Sequence, residues 1–61
     1  MSPEVLDKEP MLISVPRAAL LLGLSRASAY RHAESGALPC KRFGGRVYVV
    51  TARLRALLEE E

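Results

Sequence analysis

The sequence predicts a mainly α domain with a small β-hairpin, about three helices plus two short strands. Three observations carry this. Ser14 and Ser25 each stand before a stretch of helical spacing, and Gly23 and Gly36 stand just after those stretches. The pair Gly44-Gly45 separates two strand-like runs. Thr51 opens a last amphipathic stretch.

The first helix is expected from an N-cap at Ser14, with Pro16 in the first turn, where a missing N–H costs little, to about Leu22. Val15, Ala19 and Leu22 form its buried stripe, widened by Leu20 or Leu21, while Arg17 points elsewhere. Gly23 ends it, Leu24 plugs the space between helices, and Ser25 caps a second helix from Arg26 to about Ser35. Ala29 and Ala33 are the small apolar face of that helix and allow close approach to the first. Two short helices across a tight Gly-containing turn make a helix-turn-helix. After Gly36, Pro39 sets an extended chain, and Cys40–Phe43 and Arg46–Val50 become the strands of a wing. Phe43, Val47 and Val49 are expected to share its buried face. Thr51 is expected to cap a closing helix from Ala52 to about Glu60, with Leu54, Leu57 and Leu58 as its apolar stripe. The domain proper is expected over residues 11–58, between a flexible arm (1–10) and an acidic tip (59–61).

Composition narrows the function. Sixty-one residues suffice for one domain with a marginal core. One cysteine, Cys40, and one histidine, His32, allow neither an internal disulfide nor a four-ligand zinc site, so no metal and no cofactor are expected. No apolar run approaches the roughly 20 residues that span a membrane, and the acidic start is unlike a secretory signal. The net charge is only +2, yet between Pro10 and Leu58 eight basic residues face the single Glu34, a surplus of +7. Seven of those eight are arginines, suited to phosphate and guanine. No nucleophile–base pairing and no phosphate-cradling GxxxxGK[ST] occurs, so an enzyme is not expected, nor a small-molecule substrate.

Candidate contact residues follow from position. Arg26, Ala27, Ser28, Tyr30 and Arg31 stand on the second helix, whose first residues meet base edges in motifs of this kind. Tyr30 has two readings, a core ring with a wet hydroxyl or a hydroxyl on a phosphate. Lys41, Arg42, Gly44, Gly45 and Arg46 form a narrow basic wing tip able to reach a minor groove. Arg17 and Ser25 are candidates for the phosphate backbone. His32 reads as partly buried scaffold and Cys40 as a small hydrophobe at the strand start.

The order of these motifs resembles the MerR-like and excisionase winged helix-turn-helix family. The resemblance spans about Leu12 to Leu58 and rests on Gly23-Leu24-Ser25-Arg26, Tyr30-Arg31, Ser35-Gly36, Leu38-Pro39 and Gly44-Gly45-Arg46. Within it, the short basic chain is similar to phage excisionases (recombination directionality factors), such as those of mycobacteriophages. That resemblance implies cooperative binding to repeats in attachment-site double-stranded DNA, with bending. It also implies a tyrosine integrase and neighbouring copies as partners, in the cytoplasm and nucleoid of a bacterial host. The chain departs from the family pattern at Ala29 and His32-Ala33, where bulkier aliphatics are common, which bears on the tilt of the second helix. A small transcriptional regulator at a promoter operator is the alternative within the fold. A basic adaptor docking an acidic protein is the alternative outside it.

Overall fold

The computed structural model describes residues 8–59. In chain order it holds strand β1 (Leu12–Ser14), helix α1 (Val15–Leu22), helix α2 (Arg26–Ser35), strands β2 (Cys40–Phe43) and β3 (Arg46–Val50), and helix α3 (Thr51–Glu59). Three helices and a winged sheet match the expected fold class. The sheet, however, has three antiparallel strands rather than two, in the order β1-β3-β2. Ile13 pairs with Val49 and Ser14 with Tyr48, so the chain before the first helix closes the open edge of the hairpin.

Both helix starts are made by serine. Ser14 Oγ accepts from the Arg17 N–H at 3.1 Å, and Ser25 Oγ accepts from the Ser28 N–H at 3.1 Å. At the end of α1, Gly23 takes φ 74°, a left-handed conformation that favours glycine. Its N–H donates to Leu20 O at 3.4 Å and the Leu24 N–H donates to Ala19 O at 2.9 Å, which closes the helix and turns Leu24 inward. The hairpin turn uses positive φ at both Gly44 (55°) and Gly45 (82°), the geometry whose twist matches the flanking strands.

The core is Ile13, Val15, Ala18, Ala19, Ala29, Leu38, Val49 and Leu54. Five elements and the α2–β2 connection supply it, and three of its eight members are alanines. Those alanines let α1 and α2 approach closely and set the crossing without much buried area. Leu38 closes the helix pair from below, held by its N–H donating to His32 O at 3.1 Å.

Of the two residues offered to widen the α1 stripe, Leu21 packs on the core and Leu20 is exposed. Four expectations are corrected by packing. Leu57 is exposed, leaving Leu54 and Leu58 to dock α3. His32 is exposed at the side chain, only its carbonyl serving the scaffold. Phe43 pairs across the turn with Arg46, so it lies on the sheet face opposite Val47 and Val49. Thr51 does not cap α3: its hydroxyl lies 2.9 Å from Pro10 O and 3.1 Å from Met11 O and donates to them, while its N–H donates to Met11 O at 3.0 Å. β3 runs from Val50 straight into α3 with no linker.

Residues 1–7 of the expected arm and residues 60–61 of the acidic tip lie outside the described residues. Within the remainder of the arm, Glu9 and Pro10 are bonded to the domain.

Candidate nucleic-acid interface

The second helix has one buried residue, Ala29, and a largely open remainder. Arg26, Ala27, Tyr30 and Arg31 are exposed and Ser28 is half-buried. The Arg31 guanidinium donates to Ser28 Oγ at 3.1 Å, which draws it toward the N-terminal end of the helix, where Arg26 stands. Cationic side chains thus gather at the end that a groove-entering helix presents to bases. No acidic residue occupies the first turn of α1 or α2. Ser25 is committed to capping and is itself exposed.

The hairpin stands beside this helix. A groove between them is lined by Tyr30, Ala33, Glu34, Cys40, Lys41, Arg42 and Val47. A second groove, at the tip side, is lined by Ser14, Pro16, Tyr30, Arg46 and Tyr48 among others. Tyr30 therefore occupies the ridge between the two, 45% exposed, which excludes the core reading of its ring. Lys41, Arg42, Gly44, Gly45 and Arg46 are all exposed. Pairing of Arg42 with Val47 and of Phe43 with Arg46 places Arg42 on the face toward the core and Arg46 on the other. The tip therefore carries a guanidinium on each side of a slim double-glycine turn, with open space around both glycines.

Arg17 is held differently. Its Nε and Nη2 donate to the two carboxylate oxygens of Glu9 at 3.0 and 2.8 Å, a bidentate pair. These hydrogen bonds hold the Glu9 carboxyl below its ordinary value and the Arg17 guanidinium above its own. A phosphate approaching Arg17 would meet a guanidinium whose charge Glu9 already balances, a relation that sequence spacing did not signal because seven residues, a strand among them, separate the two. Burial raises the Cys40 thiol, in keeping with a packed rather than reactive side chain. Among the described residues no group of three or more His, Cys, Asp or Glu side chains could hold a metal ion. No helix among them is long and apolar enough to cross a membrane.

Sequence reasoning missed two contributors to this architecture. Glu9 engages the first helix, and Phe43 stands bare at the wing tip. The alternation pattern could have located Phe43 had the turn been counted as a two-residue reversal.

The helix-turn-helix domain family matches residues 12–61 of the chain. No curated protein and no solved structure matches it.

Proposed function

The chain belongs to the helix-turn-helix domain family, a DNA-binding and typically non-enzymatic class of domain, and from that premise we propose that it is an architectural protein of the excisionase type. In this reading α2 enters the major groove of duplex DNA with Arg26 and Arg31 toward base edges and Ser28 and Tyr30 toward base or phosphate. The hairpin tip enters the adjoining minor groove with Arg42 and Arg46 on its two sides, Gly44 and Gly45 between them, and Lys41 on a phosphate. Several copies load side by side on repeated attachment-site sequences, bend them, and direct a tyrosine integrase toward excision.

The observation that carries it is the joint exposure of Arg26, Arg31, Arg42 and Arg46 on a recognition helix and a hairpin that flank one ridge, at Tyr30. Size supports tandem loading. The longest extent of the described chain is 29 Å, less than one helical turn of about 34–36 Å, so one copy covers one major groove and its minor-groove neighbour. Copies at successive turns would then stand close together.

Circular-permutation gel shifts on duplexes with tandem sites test this. Cooperative loading with position-dependent mobility is expected. Binding to a single site without bending would replace this reading with that of a promoter regulator. Association with acidic protein and none with duplex would replace it with an adaptor. The logarithm of the duplex binding constant should fall against that of salt concentration with a slope of about −0.9 per phosphate engaged.

A further inference from the structure

One large apolar side chain at the hairpin tip lies outside the core. Phe43 is the last residue before the Gly44-Gly45 turn and is 52% exposed. It faces away from Val47 and Val49 and is not among the side chains packed on the core. Its cross-strand neighbour is Arg46, and strand alternation puts Lys41 and Tyr48 on the same face. Arg42 emerges from the opposite face one residue earlier. Of the other large exposed hydrophobic residues described, Met11, Leu20 and Leu57 are not on the hairpin, and Tyr30 lies beside it on α2 with a polar hydroxyl. Phe43 thus sits at the slim end of a hairpin, with Lys41 and Arg42 before it in the strand and Arg46 across from it.

This is the chemistry of a minor-groove wedge. Guanidinium groups on both flanks hold the two phosphate rails, while an apolar ring enters between base pairs, unstacks them and kinks the duplex away from itself. Water offers the ring nothing in the free protein, so its burial against a base face is gained only on binding. The two glycines place no side chain beside the ring, and the space around each is open, so the tip can approach the groove floor.

We propose that Phe43 is a DNA wedge that inserts from the minor groove into one base step and supplies a kink. The step it selects is pyrimidine–purine, because such steps unstack at the lowest cost. Specificity at that step therefore comes from deformability rather than from hydrogen bonds. The inference rests on duplex binding by α2 and the hairpin, and adds to it a residue, a step preference and a mechanical role.

The test uses the full chain and the tightest duplex recovered by selection from random sequence, carrying 2-aminopurine at successive positions. Binding should raise 2-aminopurine fluorescence at a single pyrimidine–purine step under the wing and nowhere else. Phe43→Ala should abolish that rise, remove the bend in permutation gels and weaken binding about tenfold. Phe43→Leu should keep all three. Because the ring is outside the core, both variants should melt like the parent, which separates loss of the wedge from loss of the fold. Duplex binding by the parent chain with no rise at any step, or an undiminished rise with Phe43→Ala, overturns the wedge and leaves duplex recognition standing. Failure to select any duplex overturns the reading beneath it, and the wedge with it.

Discussion

Thr51→Val keeps the shape of a buried side chain and removes one hydroxyl, so it isolates the tether between the two ends of the described chain. Thr51 is 6% exposed, and its single O–H proton is shared between Pro10 O and Met11 O. In the variant Met11 O keeps the Thr51 N–H donor at 3.0 Å, equally available from valine. Pro10 O loses its side-chain donor, but Pro10 is an exposed residue and water can replace it. The cost is therefore that of one ordinary hydrogen bond, about 1 kcal/mol, and not the larger penalty of an orphaned buried acceptor. A chain of 61 residues at 0.05–0.15 kcal/mol per residue has about 3–9 kcal/mol in all, so the loss is a substantial fraction. For a domain this small it corresponds to a fall in melting temperature of about 4–8 °C. Thermal unfolding followed by circular dichroism measures it, with Thr51→Ser as the variant that retains the hydroxyl. Amide exchange over Leu12–Ser14 should quicken alongside, since β1 is the segment tethered. A Thr51→Val protein as stable as the parent, with unchanged exchange in β1, would refute the assignment of Thr51 as a tether.

Arg31→Ala should cost about 1–3 kcal/mol on the selected duplex and far less on random sequence, whereas Lys41→Ala should weaken both alike, as read by fluorescence anisotropy. Equal losses from Arg31→Ala on both duplexes would contradict base reading. The Glu9 carboxyl is held down by Arg17, so their pair stabilises the fold above the unperturbed value of 4.5 and ceases to do so as pH falls through the lowered one. Melting temperature of the parent should therefore drop more steeply with acid than that of Glu9→Gln; parallel curves would count against the pair. Glu9→Gln should also tighten duplex binding at neutral pH if Arg17 reaches a phosphate, and leave it unchanged if Arg17 is structural. Gly45→Ala meets no atom within 4 Å, so its whole cost is that of φ 82° for a residue with Cβ, about 1–2 kcal/mol by denaturant unfolding.

Helix boundaries and the hairpin were legible because they are local. Ser14, Ser25, Gly23 and Gly36 act on their own backbone within a few residues, and Gly44-Gly45 dictates a turn wherever it is placed between strand formers. What escaped was non-local. Leu12–Ser14 is three residues long, too short for a period of two to register, and it is a strand only because β3 offers a second edge beyond its pairing with β2. Phe43 and Val47 have the same parity along the chain and look like partners on one face. A two-residue turn pairs 43 with 46, and so puts 43 and 47 on opposite faces. Thr51 carries a favourable cap residue's chemistry, yet its hydroxyl answers to Pro10, 41 positions away. In the candidate interface the exposed arginines of α2 were readable from helical spacing. The commitment of Arg17 to Glu9 was not, because no local rule links the end of an arm to the first turn of a helix.

The direct passage of β3 into α3 has a mechanical consequence. With no slack between Val50 and Thr51, the hairpin is the handle of a lever whose other arm is the closing helix, pivoting where Val49 and Leu54 are clamped in the interior. A load applied at the glycine tip would pass along β3 to that clamp and to β1, which pairs with its inner half. Sequence changes at the buried Leu54 would then alter the stiffness of the tip while leaving every surface group in place.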